Sequence, residues 1–154
     1  MINRHVTAIY CDDIRFEVGN KHSYIGVYFG KMFVAQFPLQ LPKLCIAISV
    51  NTPIGMPFKK AVISVLNGKT AIAEIPLDES TLNTQVIPPE VLKNDVSDTE
   101  RTFQWNTIVA LSPFQIEGPT MLKIRVQTET EELRGPGLEI EMLGAVADTA
   151  SALQ

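Results

Sequence analysis

Ala61-Val62-Ile63-Ser64-Val65-Leu66-Asn67-Gly68-Lys69-Thr70-Ala71-Ile72-Ala73-Glu74-Ile75 carries the clearest signal of fold class in the chain. Two strand-like runs, Ala61–Leu66 and Lys69–Ile75, flank an Asn67-Gly68 pair. Asn-Gly tolerates the positive φ that both central residues of a two-residue hairpin demand, so these runs are expected to pair as antiparallel strands.

The same period of two runs outward in both directions. Ile14, Phe16 and Val18 alternate with Arg15 and Glu17, and Leu44, Ile46, Ile48 and Val50 alternate with Cys45, Ala47 and Ser49. Phe103, Trp105, Val109 and Leu111 share one parity; Leu122, Ile124 and Val126 form another such run, as do Leu138, Ile140 and Met142. Successive side chains of an extended chain point to opposite faces, so each run offers one apolar and one wetter face. That pattern belongs to antiparallel sheets covered on one side. Gly19-Asn20, Gly118-Pro119 and Gly135-Pro136-Gly137 punctuate the strands, while Pro38, Pro42, Pro53 and Pro57 bracket the one at Lys43–Asn51. The segment Pro88–Asn94 alone reads as a short helix, within a polar excursion over Asp78–Thr102. Roughly seven or eight short strands with frequent turns predict an all-β, two-layer antiparallel β-sandwich. The last third, Thr102 to Leu143, resembles the closing strands of an immunoglobulin-like or fibronectin-like sandwich. One domain is expected over residues 1–143, followed by a flexible tail over 144–154.

Composition narrows the function classes. The chain has 154 residues, 45% of them hydrophobic and 19% charged, which excludes a disordered or collagen-like polymer. Its net charge of −4 argues against general nucleic-acid binding, which needs a basic surface. No apolar run approaches a membrane span, and the first residues lack the apolar core of a signal peptide. A cytoplasmic location is therefore expected, with no membrane partner. The two cysteines, Cys11 and Cys45, have no CxxC partners and read as buried thiols, with one disulfide between adjacent strands as the alternative.

Candidate chemistry is sparse. His5 lies six positions from Cys11, about 20 Å along an extended strand, so the two do not make a nucleophile–base pair on one strand. His22 stands alone near a turn. Asp12 with Asp13, Asp78 with Glu79, and Asp95 with Asp98 offer oxygen ligands without EF-hand spacing, and read as solvated loop acids. Phosphate-cradle and nucleophile-elbow motifs are missing. No catalytic residue, metal or cofactor is expected.

Two features point to binding. Tyr24, Gly26 and Tyr28 share one parity, and that face, if exposed, would give an aromatic patch for a sugar or a protein partner. Residues 1–77 carry a net +4 and residues 78–154 a net −8, with Glu129, Glu131 and Glu132 gathered in one turn. That split suits either head-to-tail assembly and docking on a basic partner, or interleaved halves with a mixed surface. Asp12, Asp13 and Arg15 complete the candidate binding residues.

Residues Ala8–Tyr28 also resemble the opening of a family of small uncharacterised bacterial and prophage proteins. The shared pattern is Cys11-Asp12-Asp13-Ile14-Arg15-x-Glu17, then Gly19-Asn20-Lys21, then Ser23-x-Ile25-Gly26-x-Tyr28. The resemblance covers about a seventh of the chain. It implies a bacterial or phage origin and an all-β domain, and brings no catalytic residue. The expected function is a non-catalytic protein-interaction or self-assembly module, in a phage setting a virion part or host-directed binder. The alternative is a β-sandwich that binds a small ligand or carbohydrate.

Overall fold

The computed structural model describes residues 3–87, 89–93 and 100–144. Twelve strands and two short helices lie among them. β1 (His5–Glu17), β2 (Lys21–Tyr28), β5 (Leu44–Pro53) and β8 (Thr102–Leu111) form one sheet in the order β2-β1-β5-β8. A second sheet orders β3 (Lys31–Val34), β12 (Leu138–Met142), β10 (Thr120–Thr128), β6 (Ala61–Asn67) and β7 (Thr70–Pro76) side by side, with β11 (Glu132–Arg134) also on β10. β4 (Leu39–Leu41) and β9 (Phe114–Ile116) pair separately. The protein is thus β-rich, in several sheets. The expected antiparallel arrangement fails at one place, since β12 and β3 run parallel.

The alternating apolar residues meet in one core. Val6 and Tyr10 of β1, Ile46 and Ile48 of β5, Ile63 of β6, and Ile124 and Val126 of β10 belong to a single buried cluster. Two contacts tie the sheets beyond apolar packing. The Tyr10 hydroxyl donates to the Pro136 carbonyl at 2.7 Å, and burial holds that phenol in its protonated form well above the ordinary range. Gly135 is closely packed: a Cβ there would lie 3.1 Å from Ile124 Cβ and 3.3 Å from Val6 Cγ1, so those side chains would have to give way. Gly135-Pro136-Gly137 therefore separates β11 from β12 by a close-packed kink along the edge of β10.

The 61–75 hairpin forms with its turn displaced by one residue. Asn67 pairs with Thr70, leaving Gly68 and Lys69 as the central pair, and only Gly68 of these has positive φ (+62°). That is the type II′ pattern in place of the expected Asn67-Gly68 type I′. The neighbouring strand supplies the reason. Thr120 donates its hydroxyl to the Asn67 side chain at 2.6 Å, and Gly68 N–H donates to Met121 O at 2.9 Å.

The polar excursion holds α1 (Glu79–Asn83), capped by Asp78 accepting from Thr81 N–H at 2.7 Å, and α2 (Pro89–Leu92), inside the span expected to be helical. Past Gly144 the expected tail lies outside the described residues, as do Asp95 and Asp98.

Candidate functional site

The most distinctive surface begins where β1 leaves its sheet. β1 pairs with β5 only from His5 to Cys11, but with β2 as far as Glu17. Asp12–Ile25 therefore extends as a two-stranded ribbon, about five residue pairs or ~17 Å long. Phe16 and Val18 near its tip are 74% and 95% exposed, which answers the expectation of an apolar covered face here with the opposite. Among the described residues no third strand pairs with this part of the ribbon. Phe16 packs edge-on against His22, ring centroids 4.8 Å apart.

Isolated ribbons coil more strongly than wide sheets. Between the Cys11–Val27 and Asp13–Ile25 pairs, Gly26 adopts φ +68°, and a Cβ on it would run into the Asp12 carboxylate. The coil separates the two tyrosines that parity grouped together. Tyr28 packs against the core and donates its hydroxyl to Asp12; burial first, then that hydrogen bond, pushes its pKa up to about 12. Tyr24 instead lines a groove, so the two do not form the expected patch. Gly26→Ala is expected to lower amide-exchange protection over residues 21–27 about tenfold, because an L side chain at positive φ costs ~1–2 kcal/mol. Core strands should keep theirs.

The groove holds about 730 Å³. Asn20, His22 and Tyr24 of the ribbon form one wall. The floor is the face of the first sheet turned away from the core, with Thr7 and Ile9 from β1, Ala47 and Ser49 from β5, and Asn106 and Ile108 from β8. Among the described residues no Asp, Glu, Lys or Arg lines it. The outward face of the second sheet is the reverse: Lys31 pairs with Glu139 and Glu141, and Glu132 with Arg125 and Arg134, at 3.4–3.7 Å.

Most of the remaining candidate residues bond within the chain itself. Asp13 accepts from Lys43 at 2.7 Å and from Ile14 N–H, which holds its carboxyl below the usual range. Arg15 is exposed on the ribbon opposite Ser23. Glu131 closes the turn after β10 through its backbone, its carbonyl accepting from Thr128 N–H at 2.8 Å. Glu129 bonds Arg4 at 2.6 Å. With Lys31 bridging to Glu139 and Glu141 as well, the basic and acidic halves interleave, and no separate charged ends result from them.

Sequence reasoning passed over Arg4. Its guanidinium is almost wholly buried and donates to Thr52, Thr128 and Thr130 hydroxyls, to the Met56 and Pro57 carbonyls and to Glu129, while lying 4.8 Å from the Phe58 ring centroid. The contacts join the start of β1, the end of β5 and the turn after β10. Burial alone would raise the Glu129 carboxyl, but the hydrogen bonds from Arg4 and from the Lys59 and Lys60 N–H groups outweigh it and hold it below 4.5. A depressed folded-state carboxyl stabilises fully above its unfolded value and loses that contribution as pH falls through the folded one. Unfolding free energy is expected to drop below pH 4.5 more steeply in the native chain than in Glu129→Gln, read by urea titration across acidic pH.

Cys11 and Cys45 face each other directly across β1 and β5, both buried and both free thiols. Burial raises the Cys11 thiol above its ordinary value, followed by smaller contributions from Cys45, Asp12 and Asp13. Among the described residues no group of three or more His, Cys, Asp or Glu side chains gathers as metal ligands, and no helix is long and apolar enough to cross a membrane.

Fold and surface together define a β-rich protein with a projecting ribbon and an uncharged groove beneath it. The chain belongs to a family of unknown function, DUF6941, whose model matches residues 6–141. No curated protein matches the chain, and no solved structure matches it.

Proposed function

We propose that this chain is a non-catalytic interaction and assembly module that docks through the β1–β2 ribbon. The observation that carries this reading is the ribbon tip, where Phe16 and Val18 stand in solvent beyond the last sheet contact. Aromatic and aliphatic anchors at a protruding tip suit insertion into a partner's pocket, and a few such residues dominate interface energies. Arg15, Glu17 and Lys21 flank the tip and supply a charged rim. The partner in this reading is a protein or a second copy of the chain, in a cytoplasmic or, for a phage-encoded protein, virion setting.

The scaffold in this reading is a two-layer sandwich of the immunoglobulin-like kind. The shared core cluster and the Tyr10–Pro136 and Arg4–Glu129 links support it.

Light scattering across a salt series, with pull-down from the source lysate, tests the function. The native chain is expected to exceed its 17.0 kDa monomer mass or to retain a partner, and Phe16→Ser with Val18→Ser to abolish either. A strict monomer with no partner that depends on these two residues overturns the proposal.

A further inference from the structure

We infer that the groove between the ribbon and the first sheet is a binding site for a neutral carbohydrate. Its volume, about 730 Å³, falls within the range of small-molecule sites. The chemistry of its lining selects among ligands. With no Asp, Glu, Lys or Arg among its described lining, it offers an anion only the His22 imidazole and an ammonium group no carboxylate, so most of an ion's lost hydration would go without compensation. Nucleotides and anionic metabolites are thereby disfavoured. A wholly apolar ligand is disfavoured for the opposite reason, since it would cover Thr7, Asn20, Ser49 and Asn106 and take from water the donors and acceptors that these side chains do not use within the chain.

Sugars match both requirements. Hydroxyl and amide side chains donate and accept, as sugar hydroxyls do. Ser49 is already oriented, accepting from the Asn51 amide at 3.2 Å, so its own O–H remains to donate. Tyr24, 38% exposed in the groove wall, offers a ring face on which the C–H side of a pyranose stacks. Small side chains at Ala47 and Ser49 keep the floor low on the central strand, leaving room for more than one ring. The groove shares Asn20 and His22 with the ribbon, but its lining includes neither Phe16 nor Val18, so loss of saccharide binding and loss of assembly are read in different variants.

Saturation-transfer NMR on the full chain tests it, with maltotriose, cellotriose and triacetylchitotriose as neutral probes, and sialyllactose and ATP as charged ones. At least one neutral trisaccharide is expected to receive saturation, with shifted amides at Thr7, Ser49 and Asn106. Tyr24→Ala should weaken its binding about tenfold, the size of one lost stacking contact. Tyr24→Phe should retain it, and Ser49→Arg should remove it. Lys31→Gln, on the outward face of the second sheet, should leave it unchanged. Thermal melts of each variant separate lost binding from lost folding, and the conservative Tyr24→Phe keeps the test decisive if Tyr24→Ala unfolds. Silence from all three neutral probes overturns the inference. So does preference for a charged probe, undiminished binding in folded Tyr24→Ala, or a groove occupied by a protein segment while saccharides stay silent.

Discussion

Arg4→Ala is expected to lower the unfolding free energy by about 3–5 kcal/mol, the scale for breaking a buried ion pair from one side. The substitution leaves the Glu129 carboxylate without its cation and strips donors from Thr52, Thr130 and two backbone carbonyls at once. Because Arg4, at the start of β1, thereby links the end of β5, the turn that follows it and the turn after β10, the loss is global, and a single urea transition should shift with unchanged slope. Replacing both members with apolar residues should cost less than Arg4→Ala alone, since no charge is then left unpaired. A shift below ~1 kcal/mol for Arg4→Ala would place the pair among ordinary surface bridges.

Ile124→Ala is expected to cost about 3–4 kcal/mol, combining lost transfer energy with a cavity that cannot collapse. Ile124 is wholly buried on β10, a strand flanked on both sides in its sheet. It touches the kink at Gly135, which in turn abuts Val6 of the other sheet. Movement to fill the space is limited because Gly135 N–H donates to the Ile124 carbonyl at 3.0 Å. Ile124→Val should cost only about 1 kcal/mol. Equal losses for the two variants would show that the site relaxes freely.

These positions differ sharply in how legible they were beforehand. Ile124 stands in a clean period-two run, and its burial follows from that run alone. Arg4 precedes the alternating pattern as an apparently ordinary terminal cation. Its role requires Thr128, Thr130 and Glu129 from more than a hundred positions away. Glu129 read as part of an acidic docking turn for the same reason: an isolated sequence does not display the cation that neutralises it. α1 did carry a local signal, Asp78 three residues before Thr81, and an N-cap reading of the polar excursion would have found it.

Local sequence suffices for the strand-forming runs, the one-sided apolar faces of most of them, the 61–75 hairpin and the short helix near Pro89. All of these rest on local stereochemistry: side-chain alternation, turn residues and helix-starting proline. Contacts between distant strands are what make β1 outrun β5, part Tyr24 from Tyr28 at Gly26 and interleave the halves of opposite charge. They also decide the position of the 67–70 turn, through Thr120 and Met121 on a distant strand. Period two states that a residue lies on a face; which neighbour covers that face depends on how strands far apart in the chain are stacked, and no local preference encodes that.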